Sequence, residues 1–328
     1  MQVRFWGVRG SCPAPVTSED VVARLSEALW RLGCDGSSVD LRDRESIAAY
    51  IETLPQHVRG IVGSNTPCVE MRTDAGDLFI IDFGSGLRSL GNELIQKEFG
   101  RGLGVAHCFL SHFHWDHIQG WPFFKPCYVP GNQLDLYTRH DNLAERLRRQ
   151  QEAPFFPPAS WDDMRATINF HQMDDEPLIL CDGRVKVTTI ELEHPSKAYA
   201  YRFEADGKSF VYASDGSYHR LDDIGIRPYV DFYRDADMLV FDAQFTLTES
   251  FEKRSWGHSS AVIGVELACQ SDVKNLVLFH HDPGADDVML EHLYKIGKQY
   301  AAVVPCSVRR RSNQCAITLA REGLVIDL

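Results

Sequence analysis

Long apolar runs are missing from this 328-residue chain. No stretch approaches the roughly 20 residues that a membrane-spanning helix needs. The opening residues "MQVRFWGVRGSCPAP" hold no apolar signal core, so export is not expected. Excess positive charge is missing as well, the formal net charge being −12. Phosphate contacts draw on Lys and Arg, so this balance argues against nucleic acid and against anionic membranes as partners. A small phosphorylated substrate held by a local positive site, above all a metal, stays open. Paired cysteine spacing is the third absence. The nine cysteines are odd in number and none forms Cys-x-x-Cys, which argues against a disulfide framework and a thiolate zinc knuckle. Reduced thiols in a cytoplasmic protein are the expectation.

Internal repeats, low-complexity tracts and linkers are also lacking. A chain of this length buries a full core without staples, so a metal here would serve chemistry rather than folding. "QVRFWGV" alternates Val3 and Phe5 with Arg4 and Trp6 and reads as a strand ending at Gly7. "SEDVVARLSEALWRLG" reads as an amphipathic helix with Ser18 as N-cap and Val22, Leu25, Leu29 and Leu32 on one face. "RDRESIAAYIETLP" reads as a second helix closed by Pro55. Strands and helices are then mixed: "TPCVEMRT", "GDLFIIDFGSG", "GVAHCFLSH", "RVKVTTIELEH", "AYAYRFEA", "KSFVYASDG", "DADMLVFDAQF" and "KNLVLFHHDP" read as strands, "DNLAERLRRQQ" and "SSAVIGVELACQ" as helices. This mixture predicts one α/β domain over residues 1–328, with a helical insertion at 17–55.

What the chain does have is "FLSHFHWDHIQGWPFF", residues 109–124. Three histidines and an aspartate fall within six positions, in the turn after an apolar strand. Residues two apart in extended chain point the same way, so His112 and His114 can grip one cation. Asp116 and His117, on the following turn, can face a second. Imidazole and carboxylate without thiolate suit Zn²⁺ first, with Mn²⁺ or Fe²⁺ as alternatives, in an open catalytic site. A histidine-rich surface turn is the bland reading, and four coordinating residues in six positions weigh against it.

"SHFHWDH" resembles the His-x-His-x-Asp-His signature of the metallo-β-lactamase superfamily, and later segments resemble its other motifs in order. "FIIDFGSG" places Asp82 as the buttress of the metal loop. "ELEHP" supplies His194, "FVYASDG" supplies Asp215 and "LVLFHH" the last histidine. The resemblance implies two divalent metal ions, one on His112, His114 and His194, the other on Asp116, His117 and the last histidine, with Asp215 and a hydroxide bridging them. It also implies the four-layer αβ/βα sandwich of two mixed sheets flanked by helices. His280 and His281 are adjacent on a strand and face opposite ways, so one at most ligates; the motif favours His280.

"VFDAQF" followed by "WGHSS" is similar to the later region of tRNase Z and related phosphodiesterases. There a carboxylate orients a histidine that protonates the leaving group; here these are Asp242 and His258. The implied activity is hydrolysis of a small phosphodiester, such as a cyclic nucleotide, a nucleotide or a lipid-derived diester. The bridging hydroxide attacks, Asp116 belongs to the catalytic set, and His258 is the general acid. Two alternatives use the same ligands: a thioester, lactone or glyoxalase-type hydrolase, and a di-iron redox enzyme. The 17–55 insertion is open to three uses: a lid, a homodimer contact, or neither. "APFFPPASW" is either a pocket mouth built of Phe155, Phe156 and Trp161 or a packed aromatic loop.

Overall fold

Two seven-stranded mixed sheets form the centre of the molecule. The computed structural model describes residues 1–36, 39–154, 160–220, 222–304 and 315–328. In chain order the strands are β1 (Gln2–Gly7), β2 (Cys68–Arg72), β3 (Leu78–Ile81), β4 (Val105–Phe109), β5 (Gln133–Thr138), β6 (Thr167–Gln172), β7 (Leu178–Leu180), β8 (Val185–Leu192), β9 (Ala198–Ala205), β10 (Lys208–Ala213), β11 (Met238–Asp242), β12 (Asn275–Phe279), β13 (Ala316–Leu319) and β14 (Val325–Asp327). One sheet runs β14-β1-β2-β3-β4-β5-β6 and the other β13-β12-β11-β10-β9-β8-β7. Pairing is antiparallel through β1, β2 and β3 and parallel from β3 to β6. The second sheet mirrors this, antiparallel from β7 to β10 and parallel from β10 to β13.

The sheets face each other across a core of Val3, Phe5, Phe79, Phe109, Tyr201, Phe203, Phe210 and Tyr212. Interior strands are covered on both faces, which is why β3 reads "LFII" without alternation. The helices are α1 (Ser18–Cys34), α2 (Arg44–Thr53), α3 (Gln56–Arg59), α4 (Gly86–Leu94), α5 (Trp115–Ile118), α6 (Leu143–Gln150), α7 (Asp223–Tyr233), α8 (Leu247–Glu252), α9 (Ala261–Gln270) and α10 (Asp287–Ala301). Apolar residues of α4 and α6 cover the outer face of the first sheet. Those of α7, α9 and α10 cover the outer face of the second. The layers are therefore helix, sheet, sheet, helix, the expected αβ/βα sandwich.

The insertion corrects one expectation. Thr17, not Ser18, caps α1, through a reciprocal capping box with Asp20. The apolar face of α1 lies open, with Val22, Leu25 and Leu29 62 %, 60 % and 67 % exposed. Periodicity reports which residues share a face and says nothing of what covers it. Arg24 ties the helix down instead. Its Nη1 donates to the carbonyls of His57 and Gly60, and its Nη2 lies 2.9 Å from Asp287 Oδ2. Asp287 is buried and also pairs with the buried Arg9. Of the aromatic loop, Phe155 and Phe156 lie outside the described residues. Trp161 stacks on Trp121 and packs against Phe170, as a packed loop would.

Candidate metal centre

Every proposed ligand sits just beyond the C-terminal end of a strand or on the turn that follows. His112, His114, Asp116 and His117 follow β4, His194 follows β8, Asp215 follows β10 and His280 follows β12. This is the edge where open α/β sheets gather ligands. The turns are tight: Asp82, Asp215 and His280 have φ of 61°, 59° and 57°. Non-glycine residues hold that conformation only where the surroundings enforce it.

Two groups of donor atoms result, each lying within 4.8 Å: His112, His114, His194 and Asp215; and Asp116, His117, Asp215 and His280. Asp215 belongs to both. His114 Nδ1 lies 3.1 Å from His194 Nε2. His117 Nε2 lies 3.2 Å from Asp116 Oδ2, 3.1 Å from Asp215 Oδ2 and 3.3 Å from His280 Nε2. Donors of a tetrahedral zinc shell at about 2.0–2.1 Å stand roughly 3.3 Å from one another, so these spacings fit a divalent ion.

The anchoring of each ring supports the same fit. Each of the five histidines has one nitrogen tied to an outer partner and the other aimed inward. His112 Nδ1 meets Ser111 Oγ at 3.1 Å and His114 Nε2 meets Ser196 Oγ at 2.9 Å. His117 Nδ1 donates to Asp82 Oδ2 at 2.7 Å, His194 Nδ1 to the Gly257 carbonyl at 3.0 Å, and His280 Nδ1 to Gln244 Oε1 at 3.0 Å. Such outer bonds set tautomer and ring orientation in metal sites. His112 Nε2 is buried without a hydrogen-bond partner, an uncompensated arrangement unless a cation takes its lone pair. His281 points away and donates from Nε2 to the Ala320 carbonyl at 2.9 Å. The structure thus brings His280, and not His281, to the cluster.

Asp82 is a hub rather than a ligand. It accepts from the Ser111 amide and hydroxyl, each at 2.8 Å, and from Tyr212 Oη at 2.7 Å, in addition to His117. Burial and neighbouring imidazoles hold His112 well below the ordinary histidine value, and burial lowers His114 and His194. These three are neutral, as ligands must be. Burial opposes charge on His117 and His280 too, but Asp215 and Asp116 outweigh it. His117 rises well above its ordinary value and His280 to about 9. The two aspartates fall correspondingly low.

Beside the cluster, His258 Nδ1 donates to Asp242 Oδ2 at 2.8 Å and lies 3.8 Å from Asp215 Oδ1. Asp242, His258, Asp215 and His280 also lie close enough to form a third donor group. The Asp242–His258 bond already engages these atoms, and Asp242 Oδ1 accepts from the Gln244 amide at 3.0 Å. The pair therefore reads as a unit next to the metal site.

Sequence reasoning missed the support. The Ser11 amide donates to Asp116 Oδ2 at 2.8 Å. Gly10 packs against His280: a Cβ there would stand 2.5 Å from the ring. Gly257, at φ +83°, packs on His194 in the same way, with 2.1 Å to Nδ1. Gln244 and Ser196 orient their histidines. The only available signal was position, since "VRGS" follows a strand, Gln244 is two residues past Asp242, and Ser196 is two past His194.

Fold and site define a metal-centre protein on an αβ/βα sandwich. A family model described as "Beta-lactamase superfamily domain" matches residues 80–281, and the chain belongs to this family, the metallo-β-lactamase superfamily. It is 25 % identical over 286 residues to a ribonuclease Z of Bacteroides thetaiotaomicron, covering 73 % of this chain and 85 % of that protein. Among solved structures it is similar to the metallo-β-lactamase fold protein YhfI of Bacillus subtilis, with TM-score 0.62 and 16 % identity, covering 99 % of this chain and 98 % of that one. It is also similar to the short form of human tRNase Z, with TM-score 0.59 and 16 % identity, covering 100 % of this chain and 99 % of that one. At these identities the solved structures speak for the fold alone. No helix among the described residues is long and apolar enough to cross a membrane.

Proposed function

We propose that the protein is a metal-dependent phosphodiesterase. The observation that carries this reading is the His258–Asp242 pair, set 3.8 Å from the carboxylate shared by both donor groups. His112, His114 and His194 would hold one divalent ion, Asp116, His117 and His280 the other, and Asp215 both. Zinc suits this donor set best. Bound there, the ions would activate water and offset charge on the phosphoryl oxygens.

The chain's own residues do the rest. Asp242 Oδ2 accepts the hydrogen bond from His258 Nδ1, which leaves Nε2 to meet the substrate. An alkoxide leaving from phosphorus needs a proton, and an oriented imidazolium supplies it. Thiolate and carboxylate leaving groups need none, so the pair favours diesters over thioesters and lactones. The net charge of −12 favours a small diester. The ribonuclease Z name of a relative weighs the other way and brings RNA into consideration.

The test is a metal-loaded preparation assayed on bis(p-nitrophenyl) phosphate, cyclic nucleotides, short RNA, a thioester and a lactone, with its metal content measured. Diester turnover is expected. Thioester or lactone turnover alone would overturn the reading, and an iron content with a visible spectrum would favour the redox alternative.

A further inference from the structure

A groove of about 590 Å³ opens beside the metal loop, lined in part by Phe113, Trp115, Phe123, Arg146 and Arg149. Phe113 and Trp115 alternate with His112, His114 and Asp116 along the chain, so the groove lies along the loop that carries the proposed ligands. Its size is that of a small-ligand site.

Trp115 is 75 % exposed, and its indole touches no other ring among the described residues. An indole left in water is apolar surface with nothing to cover it. The guanidinium groups are equally unspent. Arg146 lies 4.7 Å over the ring of Phe113, which fixes its place at the groove wall. Arg149 sits one helical turn along α6, on the same face. Among the described residues neither has a carboxylate partner, although acidic residues outnumber basic ones across the chain.

A flat π surface beside two free guanidinium forks has a specific complement. Nucleobases stack on aromatic side chains whatever their sequence, and guanidinium binds phosphate with two parallel hydrogen bonds. A lipid chain would use the aromatic wall and leave both arginines unpaired. We propose that the groove is a nucleoside-phosphate subsite: Trp115 stacks the base next to the scissile diester, and Arg146 and Arg149 hold a further phosphate. This rests on the phosphodiesterase reading and narrows its substrate to nucleotide diesters that carry an extra phosphate. A free dinucleotide and the end of an RNA strand share that chemistry.

Two arms test it. In the first, the metal-loaded wild type, Trp115→Ala, Trp115→Phe and Arg146→Ala/Arg149→Ala are compared on methyl p-nitrophenyl phosphate, UpU, pUpU and a ten-residue oligouridylate. The ratio of kcat/KM for pUpU to that for the methyl diester should fall about tenfold in Trp115→Ala, chiefly through KM, and recover in Trp115→Phe. The double arginine variant should lose the preference for pUpU over UpU. Preference for the oligouridylate over pUpU assigns a strand end, and the reverse a free dinucleotide. An unchanged ratio in Trp115→Ala overturns the subsite while diester turnover stands. In the second arm pUpU is titrated against the protein's tryptophan fluorescence. Saturable quenching in the wild type that is lost in Trp115→Phe and weakened by salt is expected. Its absence sinks the subsite even where no substrate turns over, and a preparation that binds but hydrolyses no diester sinks the enzyme reading alone.

Discussion

His258 Nδ1 stands 2.8 Å from Asp242 Oδ2 and 3.8 Å from Asp215 Oδ1, so one imidazole joins the proposed acid pair to the carboxylate common to both donor groups. This arrangement predicts a dependence on the leaving group. His258→Ala should slow diesters with alkoxide leaving groups by about 10²–10⁴-fold, the usual range for general acid catalysis. The same variant should barely affect p-nitrophenolate esters, whose leaving group needs no proton. Asp242→Asn should fall between, because His258 stays in place without its charge partner. Rates plotted against leaving-group pKa give the answer: a slope that does not steepen in His258→Ala removes the acid role.

Gln244 orients His280 through a 3.0 Å bond and reaches Ser11 at 3.4 Å. Removing such an outer partner commonly costs about 10–100-fold in metal affinity. Gln244→Ala should therefore weaken one of two bound ions, leaving the ion on His112, His114 and His194 largely unaffected. Gln244→Glu keeps an acceptor for Nδ1 and should recover most of the loss. Competition against a chromogenic chelator reads both ions separately.

These two relationships show what a sequence carries and what it does not. His112, His114, Asp116 and His117 are legible because one turn holds them all. Asp215 and His194 become legible only when strand ends are read in order, since alone each is a common turn residue. Gln244, Ser196, Gly10 and Gly257 carry no such mark. Their roles come from contacts between segments far apart in the chain, such as Gly10 against His280. The sandwich followed from the motif order and not from periodicity. Periodicity put Val22, Leu25 and Leu29 on one face of α1 without saying what covers it, and the structure leaves them exposed.

Arg24 predicts how the insertion is held. α1 has no buried residue, and Arg24 ties it to Asp287 and to the carbonyls of His57 and Gly60. Arg24→Ala should release residues 17–55 to limited proteolysis while the urea midpoint of the sandwich moves little, because Asp287 keeps Arg9. Asp287→Ala leaves the buried Arg9 with carbonyl partners but no carboxylate and should cost about 3–5 kcal/mol, the range for breaking a buried pair. Equal protease resistance in wild type and Arg24→Ala would show that other contacts hold the insertion.

His281 predicts an acid-sensitive term in stability. Burial comes first among the causes that lower its pKa from 6.5 to about 3; its bond to the Ala320 carbonyl opposes that shift weakly. The folded protein thus keeps this ring neutral while the unfolded chain protonates it near 6.5. Between these values the unfolded state binds the extra proton, so acid favours unfolding. The contribution is complete above pH 6.5 and is lost as pH falls toward 3, with a slope of up to about 1.4 kcal/mol per pH unit. His281→Gln retains a side-chain donor that does not titrate, so its stability should fall less steeply with acid across this window. Denaturant midpoints of both proteins at pH 4, 5, 6 and 7 decide it, and parallel curves would mean that His281 titrates alike in both states.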